Sequence, residues 1–127
     1  MKYKISDGGA TAEGFNETND CVVRAIAIAA RIPYTRAHKL VAKETGRRPR
    51  RGTQGFLAMM SRVRIGQRRV GLGRRYTVAK FVEQFPKGRY LVRKSRHAFA
   101  VVDGVVHDNW KPGPRCIITD AWYFPKK

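Results

Sequence analysis

The sequence predicts an α+β fold, and three observations carry that prediction. Apolar residues recur at helical spacing through the first two-thirds of the chain, the period switches to two after Pro86, and Asp103-Gly104 stands between two apolar runs. Helices come first and antiparallel strands second, the order of an α+β domain. The chain has 127 residues, which suits a single domain spanning 1–127, and its 43% hydrophobic content is enough to build a core despite the charge.

Taken in order, residues 3–5 read as a short strand and residues 7–13 as a Gly-rich loop. Residues 21–32 form a helix apolar almost all round, broken only by Arg24 and Arg31, which implies central burial. Asn19 or Asp20 supplies its N-cap and Pro33 ends it. A second helix spans 35–45, with Ala37, Leu40 and Val41 inward and Gly46 as its stop signal. Residues 46–52 make a basic loop, residues 53–62 a short helix carrying Phe56, Met59 and Met60, and residues 66–75 a mobile Gly/Arg-rich segment. Thr77 caps a further helix with Val78, Phe81, Val82 and Phe85 at helical spacing. Strands follow at 89–93, 98–102, 105–108 and 116–119, and Trp122 to Phe124 form a last apolar patch. The expected architecture is a buried N-terminal helix packed on a C-terminal antiparallel sheet.

Charge is concentrated in one region. The formal net charge is +18, from 27 Lys and Arg against 9 Asp and Glu. Residues 45–82 contain no acid, yet hold ten arginines and Lys80. Arg47, Arg48, Arg50, Arg51, Arg68, Arg69, Arg74 and Arg75 come in pairs, and a planar guanidinium suits phosphate or carboxylate. This segment is the candidate surface for nucleic acid or an acidic protein, with a solvated, solubilising face as the plain alternative. With no base-reading motif, contact with nucleic acid would be electrostatic and salt-sensitive. The most apolar stretch is interrupted by Arg24 and is far shorter than a membrane span of ~20 residues. The start lacks an apolar signal region, so a cytoplasmic location is expected.

Two cysteines bear on chemistry. Cys21 stands at the first turn of the apolar helix, where backbone N–H groups and the helix dipole favour a thiolate. Cys116 lies in a predicted strand, away from any helix start. A thiol nucleophile needs a base, and the base needs an orienting group. Of three histidines, His38 reads as solvated, while His97 and His107 belong to the hairpin. If Asp103-Gly104 is the loop, Val102 pairs with Val105 and paired positions sum to 207. One face then carries His97, Phe99, Val101, Val106, Asp108 and Trp110, and the other carries Ala98, Ala100, His107 and Asn109. Asp108 becomes the diagonal neighbour of His97, about 7–8 Å away at the backbone and within side-chain reach. Cys21, His97 and Asp108 therefore compose a candidate nucleophile, base and orienter.

The blocks Asn19-Asp20-Cys21-Val22-Val23-Arg24-Ala25, His97-Ala98-Phe99-Ala100-Val101 and Asp108-Asn109-Trp110 resemble papain-like cysteine peptidases in order and spacing. The opening block is also similar to small phage and bacterial proteins with an Asn-Asp-Cys-Val-x-Arg-Ala start, which would place the chain in a host cytoplasm. The resemblance implies Cys21 as nucleophile, His97 as general base and acid, and Asp108 as orienter. It also implies an oxyanion hole from the nucleophile's N–H and a preceding Gln. No Gln precedes Cys21, so Asn16 or Asn19 substitutes, Asn16 having the better spacing. The chain is much shorter than papain, so its substrate walls are reduced or supplied by the basic segment.

Two functions follow as expectations. The first is a thiol hydrolase of peptidase or isopeptidase type, acting on a protein or peptide through an acyl-enzyme and using no cofactor. The second is a non-catalytic module that binds nucleic acid or an acidic protein through its arginines. A zinc site from Cys21, Cys116 and His97 fits no compact spacing, so no metal is expected.

Overall fold

The computed structural model describes residues 1–125. The fold is α+β, with four helices and one six-stranded mixed sheet. In chain order the elements are β1 (Lys2–Ile5), α1 (Cys21–Ala30), α2 (Tyr34–Thr45), α3 (Phe56–Arg62), β2 (Arg68–Val70) and α4 (Val78–Gln84). They continue with β3 (Arg89–Lys94), β4 (His97–Val102), β5 (Val105–Asp108) and β6 (Ile118–Phe124). Sheet order is β1-β5-β4-β3-β6-β2. Among the described residues, no helix is long and apolar enough to cross a membrane.

Apolar residues alternate across β3, β4 and β6, so each face of the sheet holds a core. Leu91, Ala98, Ala100, Trp122 and Phe124 face α1, α2 and α3. Tyr90, Val92, Phe99, Val101 and Ala121 face α4 on the other side. Ala98 and Ala100 leave α1 room to lie close against β4, and Val23 and Ile26 there are fully buried. The hairpin register is as the spacing predicts: Ala100 pairs with His107, Val101 with Val106 and Val102 with Val105. Asp103 and Gly104, at φ 48 and 76, make the two-residue turn that fits strand twist.

Several expectations are corrected. The sheet is mixed, because β1 pairs in parallel with β5 and extends the edge beyond the hairpin. The 66–75 segment contains β2, an edge strand paired with β6. Its arginines disguise it: Arg69 pairs with Asp120 and lies over the Trp122 ring, 5.3 Å from its centroid. The expected 116–119 strand and the Trp122 patch are one strand, β6, and Cys116 lies before it in a turn, its N–H bonded to Gly113. Helix α1 stops at Ala30, where Arg31 turns left-handed at φ 57, and Pro33 leads into α2 rather than ending α1.

The N-terminal acids knit the loop of residues 6–20 to the helices. Glu13 accepts from the N–H groups of Tyr34 and Thr35 at 2.9 and 3.0 Å, supplying the cap that Pro33 cannot. Glu17 accepts from Arg47 at 2.9 Å, from the Arg50 N–H at 2.7 Å, and contacts His38 at 2.6 Å. His38 is therefore engaged rather than solvated. Gly8, at φ 71, passes so near α1 that a Cβ there would sit 3.0 Å from the Arg24 Cα.

Candidate active site

Cys21 is the first residue of α1, reached through Asn19 at φ 53 and Asp20. Asp20 occupies the N-cap position, but its carboxylate makes no capping bond. It binds the Arg24 guanidinium and accepts from the Tyr34 hydroxyl at 2.7 Å. The dipole of α1 and its first-turn N–H groups therefore act at the Cys21 end without an acidic side chain capping them. The backbone N–H of Ala98 also favours the charged form of the sulfur. That N–H is available because the β4–β5 pairing ends at Ala100 and His107.

His97 opens β4 on the side of the sheet that carries Phe99, away from α1. Its ring reaches the helix start because the first residue of the strand lies beyond the last β4–β5 pair. His97 Nε2 donates to Asp108 Oδ2 at 2.5 Å, and Trp110 Nε1 lies 3.0 Å from the same nitrogen. Both contacts fall on Nε2, and neither on Nδ1. Cys21, His97, Asn109 and Trp110 line one cleft of about 850 Å³.

Asp108 is 3% exposed and does not stand alone. Its Oδ1 accepts from the Asn109 N–H at 2.8 Å and from Arg24 at 3.4 Å, and Arg24 also donates to Asn109 Oδ1 at 3.0 Å. A buried network thus runs from Tyr34 through Asp20 and Arg24 to Asp108 and His97. Buried charges are tolerated when paired and hydrogen-bonded in this way. In the sequence Arg24 stands out only as a break in the apolar helix. An arginine one turn after Asp20 and Cys21, on a helix otherwise fit for burial, was the available signal.

The electrostatics favour an ion pair. Burial pushes the Cys21 thiol up, but His97, the Ala98 N–H and the Arg24 charge outweigh it, leaving the thiol below its ordinary value. Burial pushes His97 down, but the Asp108 carboxylate and Cys21 outweigh that, raising it to about 9. Both shifts run in the direction of thiolate beside imidazolium. Such a thiolate is the reactive form of the sulfur.

The other residues singled out in the sequence divide. Asn19 lines the cleft, with its amide donating to the Arg50 carbonyl at 3.3 Å. Asn16 is exposed, does not line the cleft, and offers its carbonyl to Arg50 at 2.9 Å. Gln54 lines the cleft and was missed, because it follows Cys21 in the chain instead of preceding it. Arg48, Arg51, Arg68, Arg74 and Arg75 are exposed, and among the described residues none forms a side-chain ion pair. Arg47 is buried on Glu17, Arg50 is bonded to Asn16, and Arg69 is paired with Asp120, so these three are structural first. Cys116 packs in the core on the opposite face of the sheet from the Cys21 core, so Cys21, Cys116 and His97 do not converge. No family model matches the chain, and the searches of curated proteins and of solved structures likewise give no match.

Proposed function

We propose that the chain is a cysteine-dependent hydrolase of peptidase or isopeptidase type, built on a papain-like plan. The observation that carries this reading is the shared cleft: Cys21 at the start of α1, with His97 held at 2.5 Å by a buried Asp108. The Cys21 thiolate attacks the substrate carbonyl carbon and forms a tetrahedral oxyanion. The Cys21 N–H and a side-chain amide from the cleft wall, where Asn19 and Gln54 both stand, are the donors toward it. The C–N bond breaks as His97 gives its proton to the leaving amine. Water, deprotonated by the now neutral imidazole, then attacks the thioester, and the C–S bond breaks to release the acid and restore the Cys21 thiolate beside the imidazolium. Asp108 keeps the ring oriented and stabilises its charged form throughout.

The exposed arginines Arg48, Arg51, Arg68, Arg74 and Arg75 would recruit an acidic or nucleic-acid-associated partner. They also favour a second reading, a papain-fold binding module without turnover. Two free cysteines suit a reducing, cytoplasmic setting. Mass-resolved labelling with an electrophilic peptide probe separates the readings. The hydrolase labels at Cys21 far faster than at Cys116 near neutral pH, and His97→Ala removes the difference. Equal rates at the two thiols overturn the hydrolase. Binding to a polyanion with a steep salt slope, unchanged by Cys21→Ala, then supports the module.

A further inference from the structure

The cleft has a one-sided charge inventory. None of its lining residues is Asp or Glu, while Arg24, Arg93 and Arg96 contribute three guanidiniums. Two of these are engaged inside the protein. Arg24 serves Asp20 and Asp108, and Arg93 donates to Thr119 at 3.0 Å and Asp120 at 3.1 Å. Arg96 is exposed and, among the described residues, has no side-chain partner. It immediately precedes His97 in the β3–β4 turn, at φ 60, a conformation that favours glycine or asparagine at that place in a tight turn. An exposed, unengaged guanidinium therefore rises from a left-handed turn residue next to His97. Lys94, across the same turn, lies over the Trp110 ring at 5.9 Å and adds positive charge to that rim. The 52–58 stretch of the lining is uncharged, with Gln54 polar and Leu57 apolar and 40% exposed.

We infer that the cleft carries a carboxylate subsite on its Arg96 wall. The preferred substrate presents a carboxylate beside the scissile carbonyl, from an acidic side chain or from a free chain end. A guanidinium meets a carboxylate in a planar, two-bond geometry, and no Asp or Glu lines the cleft to compete for it. This inference rests on the thiol-hydrolase reading and names the class of substrate for it.

The test compares rates of Cys21 modification within two pairs of probes. Peptidyl vinyl sulfones with Glu or Gln next to the electrophile report a side-chain carboxylate. Iodoacetate against iodoacetamide reports a small free carboxylate, as at a chain end. Each pair is run on the wild type, on His97→Ala, on Arg96→Gln and on Arg115→Gln, the last an exposed arginine outside the cleft that removes the same unit of charge as Arg96→Gln. Relative to each probe's rate with a free small-molecule thiol, the acidic probe of at least one pair should react about fivefold faster than its neutral partner in the wild type, the scale of a favourable exposed charge pair. That preference should vanish in Arg96→Gln and persist in Arg115→Gln. Which pair shows it tells the side-chain source from the chain end. Equal loss in both variants would mean a general field of the +18 protein and would overturn the subsite. No acidic preference, with Cys21 still selectively labelled by iodoacetamide in a His97-dependent way, overturns the subsite alone. Equal, His97-independent labelling of Cys21 and Cys116 overturns the hydrolase reading and the subsite with it.

Discussion

Replacing Arg24 by Met keeps the length and apolar stem of the side chain but removes the charge at the centre of the buried network. Arg24 is 6% exposed, and its partners Asp20 and Asp108 are 4% and 3% exposed. The substitution leaves Asp20 with only the Tyr34 hydroxyl and Asp108 with the Asn109 N–H and His97. Removing one partner of a buried pair costs about 3–5 kcal/mol, because the other charge stays desolvated. Against a total stability of about 5–15 kcal/mol, that is a large fraction. For a domain of this size it lowers Tm by on the order of 10–20 °C. Urea unfolding followed by Trp fluorescence measures it, since Trp122 is buried in the core that α1 covers. The same variant loses the Arg24 charge that helps hold the Cys21 thiol down. The pH midpoint of Cys21 alkylation should therefore move up. In the double variant Asp20→Asn, Arg24→Met, the loss should be smaller than the sum of the single losses, because the two groups share one interaction. A loss below about 1 kcal/mol in the single variant, the range of an exposed pair, would refute the network as a structural centre.

Other outcomes follow from the same geometry. The His97 ring should titrate near 9 by NMR, and Asp108→Asn should move that midpoint down toward 6.5, because the leading favourable influence on the imidazolium is removed. An unmoved midpoint would refute the pairing. Glu17 is held down to about 2, burial opposing and Arg47, His38 and the Arg50 N–H prevailing. A depressed carboxylate contributes stability that is present above its ordinary value of 4.5 and is lost as pH falls toward 2. Glu17→Gln should therefore flatten the acid limb of a stability–pH curve and cost about 3 kcal/mol at pH 7. Arg47→Gln should destabilise on the same scale by stranding Glu17, whereas replacing Arg48, Arg51, Arg68, Arg74 and Arg75 together by Gln should leave the unfolding midpoint nearly unchanged. That fivefold variant should lose salt-sensitive retention on a polyanion column, and unchanged retention would remove the exposed arginines from partner binding.

Much of the local structure was legible because it depends on near neighbours. Asp103-Gly104 admits positive φ at both turn positions, so the hairpin and its register follow from two residues. That register alone brings Asp108 within reach of His97. Thr77 announces the start of α4, and its hydroxyl does accept from the Lys80 N–H at 3.1 Å. β2 was not legible, because an edge strand of three residues, two of them arginine, carries no alternation of apolar side chains. Its pairing is set by β6, a segment far away in the chain.

What the sequence determined by itself was the class of fold, the helix start beneath Cys21, the His97–Asp108 register and the acid-free arginine segment. These are matters of periodicity, turn chemistry and composition. Only the tertiary structure decided that Cys21 and His97 open into one cleft. It also decided that Arg24 stands behind Asp108, and which arginines remain free. The reason is that an ionic side chain's role depends on which opposite charge the packing brings to it, and on how much water remains there. Arg47 and Arg48 are adjacent and chemically identical, yet one is buried on Glu17 and the other faces solvent. No local pattern distinguishes them.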